Sequence, residues 1–260
     1  MIEALVTLGT TGFVAGLGLL YASKKFAVEK DPKVQEINEI LPGANCGGCG
    51  LPGCSALADA IASGKAKPTS CPVGGAELAA KIALILGVEV GATVKNVARV
   101  RCRGGKDKCL EKYDYYGPSD CHSITLLAGG IKQCTFGCVG GGSCVKACSF
   151  DAIYMGDDKI PVVIEDKCTA CGMCVKACPR NLIELLPVDK KFVVNCRSMD
   201  KGADTKKACS VGCIACRLCI KNCPENAIDM DGNVAKINPE KCVNCGKCEE
   251  VCPTKAINRY

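Results

Sequence analysis

The sequence predicts an α+β protein of 260 residues in four consecutive segments, and three observations carry that prediction. Twenty residues, Ala4 to Ser23, contain no charged side chain. A glycine-rich run, NCGGCGLPGC, is followed at Cys71 by a fourth cysteine. Three further runs have the form CxxCxxCxxxCP, in a C-terminal half that repeats about every 75 residues. The segments are expected at 1–28, 29–95, 96–190 and 191–260.

Twenty-five cysteines are the decisive compositional fact. So high a density indicates either a disulfide scaffold or a metal protein. Disulfide scaffolds are short secreted chains, whereas this chain is long. Its cysteines also stand two residues apart, a spacing that rarely meets disulfide geometry but can surround one inorganic cluster. With no Trp, five Phe and six Tyr, the apolar cores must be small, and bound metal is expected to staple them. The formal charge of +6 counts every cysteine as neutral. Five [4Fe–4S]²⁺ cores with four thiolates each would add about −10 and leave about −4, so nucleic acid is not an expected partner.

The first segment reads as a single transmembrane helix. Twenty helical residues span about 30 Å, the thickness of a bilayer core. Glu3 precedes the run and Lys24–Lys25 follow it. An acidic start is unlike a signal peptide, and the following lysines place the bulk of the chain on the cytoplasmic side of the cell (inner) membrane. A buried core helix is the alternative, because glycines and threonines dilute the hydropathy. Gly12 and Gly16 form a GxxxG pair that a second helix could approach closely.

The second segment is expected to be a small helical module. Val28 to Ile40 reads as an amphipathic helix, and residues 55–62 and 75–86 as short helices around the cysteines. The spacing is Cys46-x2-Cys49-x4-Cys54-x16-Cys71. Four cysteines can hold zinc or a [4Fe–4S] cluster, and glycines at 47, 48, 50 and 53 would let backbone N–H groups close on cluster sulfides. A phosphate-binding loop is excluded because no GK[ST] follows.

The third and fourth segments carry the signature of bacterial ferredoxins at Cys168–Pro179, Cys213–Pro224 and Cys242–Pro253. In that pattern three cysteines hold one cluster and the fourth ligates its partner. Residues 134–155 align without a gap on 209–230, so two tandem two-cluster units of βαβ type are expected, with Cys121 aligned on Cys196. Crossed ligation then joins Cys213, Cys216 and Cys219 with Cys252, and Cys242, Cys245 and Cys248 with Cys223. In the first unit it joins Cys168, Cys171 and Cys174 with Cys148. The remaining cluster has Cys138, Cys144 and Cys178, but Gly141 stands where a cysteine belongs; Cys134 is the nearest substitute, and glycines 140–142 suggest a reshaped loop. Cys102, Cys109, Cys121, Cys196 and Cys209 are left over. They either build a sixth cluster or are buried thiols.

No other chemistry is encoded. His122 is alone, whereas a Rieske centre needs two histidines, and a solvent-facing or hydrogen-bonded role fits it better. No GxGxxG follows a strand, and no triad or carboxylate pair suits bond chemistry. The charged stretches 101–112 and 200–207 read as solvated faces, or as docking sites for an acidic redox partner.

The segment YASKKFAVEKDPKVQEINEILPGANCGGCGLPGC, followed by ferredoxin motifs, closely resembles the B component of the Rnf electron-transport complex along essentially the whole chain. Two two-cluster units make it similar to the long form of that family. The resemblance implies a membrane-bound electron-transfer subunit of an ion-translocating ferredoxin:NAD⁺ oxidoreductase without a substrate-converting site of its own. It implies soluble ferredoxin as electron donor, with membrane and peripheral subunits as partners. A polyferredoxin subunit of a membrane hydrogenase would share the ferredoxin motifs, but not the 46–71 module joined to an anchor.

Overall fold

The computed structural model describes residues 2–26, 31–91 and 94–260, without the side chains of residues 2, 4, 5 and 7. The expected boundary between residues 28 and 29 lies outside the described residues. Helix α1 (Ile2–Lys25) covers the uncharged run, with Glu3 in its first turn and both lysines in its last, signs that complement the helix dipole. Among the described residues no helix is long and apolar enough to cross a membrane, so the helix is present and the crossing is not shown. Two threonines that dilute its hydropathy bond to its own backbone: Thr10 Oγ1 donates to the Val6 carbonyl at 2.9 Å and Thr11 Oγ1 to that of Leu8 at 3.1 Å.

The helical module is α2 (Pro32–Ile40), α3 (Cys54–Ala62) and α4 (Gly75–Leu86), with a 3₁₀ turn at Pro68–Ser70. Asp31 caps α2 by accepting the Lys33 N–H at 2.9 Å, with proline at the first helical position, where a missing N–H costs nothing. Gly87 ends α4 in the left-handed conformation. Ile37, Leu57, Ile61 and Ile82 are almost wholly buried between the helices, and Cys71 belongs to the same core.

Beyond residue 95 the chain builds one strand arrangement twice. Each strand pair is antiparallel, so hairpins and long-range antiparallel pairs replace the expected βαβ units. In the first, β1 (Asn96–Val100) pairs antiparallel with β4 (Ile183–Pro187), Val100 opposite Ile183. The hairpin of β2 (Ile153–Met155) and β3 (Pro161–Val163) lies between them in sequence. In the second, β5 (Phe192–Val194) pairs with β8 (Ile257–Arg259), Val194 opposite Ile257, and β6 (Ile228–Asp231) forms a hairpin with β7 (Val234–Ile237). Two-stranded sheets are marginal alone, and each set closes over a small core in which cysteines are interleaved with Val, Ile and Leu.

This register corrects the sequence alignment. Cys102 stands two residues after β1 as Cys196 stands two after β5, and the Arg101 and Asn195 N–H groups bond to Leu182 and Ala256 at 2.7 Å each. Cys102, not Cys121, is therefore the counterpart of Cys196. The ungapped match upstream of Cys134 was misleading because residues 103–133 contain an insertion, including helix α5 (Cys121–Leu126).

The two sets are locked together by polar groups from the first. Arg101, expected on a solvated face, is 4% exposed; it pairs with Glu184 at 2.8 Å and donates to the Val194 carbonyl at 3.3 Å. Arg99 is fully buried, pairs with Glu165, and lies 4.5 Å from the ring centroid of Tyr260. Tyr260 donates to the Val100 carbonyl at 2.7 Å. Burial pushes its phenol up to about 12, which keeps that proton in place.

Candidate iron–sulfur sites

Each CxxC loop is shaped by two residues in the left-handed region flanking its middle cysteine. Ala170 and Gly172 flank Cys171, Ala215 and Arg217 flank Cys216, and Asn244 and Gly246 flank Cys245, all at φ between 56° and 81°. For a non-glycine residue that conformation costs about 1–2 kcal/mol, so the shape is held by something beyond local preference. A single turn of helix follows each loop: α7 (Met173–Lys176), α9 (Leu218–Lys221) and α10 (Lys247–Glu250). That turn carries the chain to the fourth cysteine.

The fourth cysteine is delivered to the other motif. Cys223 lines one cavity with Cys242, Cys245 and Cys248. Cys252 lines another with Cys213, Cys216 and Cys219. In the first set Cys148 lines a cavity with Cys168, Cys171 and Cys174. Each cavity offers about 310 to 360 Å³ of space free of protein atoms, part of it open to solvent. Backbone N–H groups four residues on point at the delivered sulfurs: Ala152 at Cys148 (3.4 Å), Ala227 at Cys223 (3.3 Å) and Ala256 at Cys252 (3.2 Å).

Gly141 does not reshape its loop. Gly140 and Gly142 have φ of 75° and 72°, as the flanking residues do around Cys171. What differs is the occupant. A Cβ on Gly141 would lie 2.7 Å from the Cys121 nitrogen and 2.8 Å from the Asp120 carbonyl carbon, so α5 enters where a middle cysteine would stand. Asp120 caps α5, accepting the Ser123 N–H at 2.9 Å and the Ser143 hydroxyl at 2.9 Å; Ser143 in turn accepts the Cys121 N–H at 2.8 Å. The Ser123 N–H, more than the Ser143 hydroxyl, holds the Asp120 carboxyl below its ordinary range. Helix α6 (Ser143–Lys146) places Cys144, whose thiol is raised by burial first and then by Cys121 and Cys178. Cys121 acts on the thiols of Cys138 and Cys144, as Cys178 does on Cys144, while Cys134 lines a different cavity. His122 is exposed beside it.

The N-terminal module keeps its four cysteines together. Cys71 is buried, and both Cys54 and Cys46 lie close enough to raise its thiol further beyond the effect of burial. Asn45 Oδ1 accepts the Cys54 N–H at 2.8 Å at the start of α3. The module abuts the first ferredoxin set at Gly48, where an added Cβ would lie 2.7 Å from the Cys171 carbonyl oxygen and 3.1 Å from Pro72 Cγ. Gly48→Val should therefore push the two faces apart at about 1–3 kcal/mol. A lower denaturant midpoint for loss of visible absorbance is the expected result, and an unchanged midpoint would show that this contact is not made.

The donor sets suit iron–sulfur clusters better than single ions. Among the described residues no group of three or more His, Cys, Asp or Glu converges on one metal-ion position, as structural zinc requires. Burial pushes Cys138, Cys174 and Cys248 up to about 12 and Cys144 and Cys219 up to about 11. Metal-free, those five thiols stay protonated at neutral pH, and cluster binding must release their protons.

A family described as "Fe-S cluster" matches residues 41–73, and families described as "4Fe-4S dicluster domain" match 132–185, 167–228 and 212–256. The chain is 46% identical to the B component of the Na⁺-translocating ferredoxin:NAD⁺ oxidoreductase complex of Acetobacterium woodii, over 96% of its length and 75% of that protein. It is 45% identical to the B component of the ion-translocating oxidoreductase complex of Methanosarcina acetivorans, covering 99% and 97%. It is 42% identical to the B component of the proton-translocating ferredoxin:NAD⁺ oxidoreductase complex of Clostridium ljungdahlii, covering 99% and 92%. The chain belongs to the B-component family of ion-translocating oxidoreductase complexes. As a member of that family it carries several [4Fe–4S] clusters, and its two dicluster matches at 132–185 and 212–256 coincide with the two strand sets. The third match, 167–228, straddles both sets because the motifs at Cys168 and Cys213 alone resemble one dicluster domain.

Proposed function

We propose that this chain is the iron–sulfur electron relay of a membrane-bound ferredoxin:NAD⁺ oxidoreductase, coupling ferredoxin oxidation and NAD⁺ reduction to Na⁺ or H⁺ translocation. Identity of 42–46% along nearly the whole chain, to components of two ferredoxin:NAD⁺ oxidoreductase complexes and of a third ion-translocating oxidoreductase complex, carries the reading. Each [4Fe–4S] group, when bound, accepts and returns one electron. The chain's own part is to hold the clusters with cysteine thiolates and aim backbone N–H groups at the sulfurs. Five sites are assigned: Cys46, Cys49, Cys54 and Cys71; Cys148, Cys168, Cys171 and Cys174; Cys121, Cys138, Cys144 and Cys178; Cys213, Cys216, Cys219 and Cys252; and Cys223, Cys242, Cys245 and Cys248. The four segments 1–28, 29–95, 96–190 and 191–260 are the working division. Reduced soluble ferredoxin is the donor, and the other membrane and peripheral subunits are the acceptors.

Helix α1 anchors the chain in the cell membrane as a single pass, with the clusters on the cytoplasmic side. Its exposed Leu8, Phe13, Val14, Leu17, Leu19 and Leu20 support this, as does its length, about 36 Å. A Cβ placed on Gly9, Gly12, Gly16 or Gly18 meets nothing within 4 Å, which leaves that small-residue stripe open to a partner helix or to lipid.

Two experiments test the reading. Reduced ferredoxin, mixed anaerobically with the full chain, should bleach its visible absorbance; failure to bleach, with clusters present, would exclude ferredoxin as the donor. A chain starting at Lys30 should be soluble and keep its iron, because no cysteine precedes Cys46. Loss of iron from that shortened chain would show that α1 belongs to the cluster-bearing fold.

A further inference from the structure

Five cysteines line one enclosed space between the two strand sets: Cys102, Cys109, Cys134, Cys196 and Cys209. They come from the end of β1, the insertion, the approach to Cys138, the end of β5 and the end of α8 (Gly202–Ala208). The chain is bound across this space, with Leu110 donating to the Ala208 carbonyl at 3.0 Å and Ser210 to that of Lys108 at 2.8 Å.

Three of the thiols converge on Gly104. An added Cβ there would lie 3.1 Å from Cys209 Sγ, 3.3 Å from Cys109 Cβ and 3.8 Å from Cys102 Sγ. Cys134 offers its backbone N–H to Cys109, and Cys209 hydrogen-bonds the same sulfur. Cys196 sits to one side, accepting from the Ser198 N–H at 3.5 Å and lying against the backbone of Cys213.

The second observation is a buried cation. Lys132 is 2% exposed and donates to the Gly104 carbonyl at 2.5 Å. Among the described residues no carboxylate pairs with it. A buried ammonium needs an anionic partner to repay its lost hydration. Its charge acts on the thiols of Cys102, Cys109 and Cys138, which it favours as thiolates.

We infer that Cys102, Cys109, Cys134 and Cys209 hold a sixth [4Fe–4S] cluster at the junction of the two strand sets, with Lys132 as its counter-charge. The space holds about 360 Å³ between protein atoms, matching the crossed-ligation cavities. Its position makes it the link between the two-cluster units. On one side the Cys138 N–H donates to Cys102 Sγ at 3.3 Å; on the other, Cys196 separates it from Cys213. Electrons crossing from one unit to the other then have a stop midway, each hop oxidising one cluster and reducing the next by a single electron.

The site rests on the iron–sulfur reading above, and the test separates the two. Iron and sulfide are measured on the anaerobically purified full chain and its variants. Cys109→Ala and Cys102→Ala should each lose about one-sixth of the iron and sulfide, with the signals of the other five clusters retained. Cys196→Ala should lose none. Lys132→Gln should keep all the iron and move the midpoint potential of one cluster downward, because a removed positive charge disfavours the reduced form. Iron unchanged by Cys109→Ala overturns the site, as does loss of iron from Cys196→Ala or an unaltered redox titration of Lys132→Gln. Failure of the whole iron–sulfur reading looks different: wild-type protein would then lack cluster absorbance altogether.

Discussion

Cys223→Ala is expected to destroy the cluster at Cys242, Cys245 and Cys248 while sparing the one at Cys213, Cys216 and Cys219. Cys223 stands four residues after Cys219 in sequence, yet it lines the cavity of the other motif. The single turn α9 causes this, since it lifts the chain off the Cys213 loop and over to its partner. Cys252→Ala should do the reverse. Each change should cost about four irons and one of the two coupled EPR signals. A Cys223→Ala protein whose lost signal maps to the Cys213 site would mean that each motif closes on itself.

Cys121→Ala should remove the cluster held by Cys138, Cys144 and Cys178, again about four irons. Cys134→Ala, by contrast, should leave that cluster in place. The two substitutions discriminate sharply because both residues lie outside the CxxC pattern and only one touches Gly141. Asp120→Ala should act in the same direction more weakly, since it removes the cap of α5 at about 1 kcal/mol and frees the Ser143 hydroxyl that holds Cys121. If Cys134→Ala alone bleached the Cys138 site, the placement of α5 against Gly141 would be wrong.

Much of this was legible in the sequence because cysteine spacing is itself geometry. The helices at 54–62 and 75–86 follow from apolar periodicity, and crossed ligation from the CxxCxxCxxxCP form. Three features were not legible, each for a physical reason. The pairing of Cys121 with Gly141 is a long-range contact, and the local pattern records only a missing cysteine. Its one local signal is the Asp120–Ser123 cap, which marks a helix start but not what the helix packs against. The equivalence of Cys102 with Cys196 depends on strand register, hidden by the insertion between them. Arg101 opens a charged stretch whose ordinary fate is solvation, and Lys132 is a lone lysine that nothing in its local sequence marks as buried; only tertiary packing buries them. Membrane crossing by α1 was read from the uncharged run; among the described residues a helix is present but no span.

Mössbauer spectroscopy of the full chain, expressed with ⁵⁷Fe and purified anaerobically, tests the central claim most directly. A relay of this kind requires nearly all the iron to sit in [4Fe–4S] cores, with iron and sulfide equal and at least five clusters, about 20 irons, per chain. Six clusters, about 24 irons, would include the junction site. Colourless protein carrying zinc, or iron present as isolated thiolate-bound ions without sulfide, would contradict it.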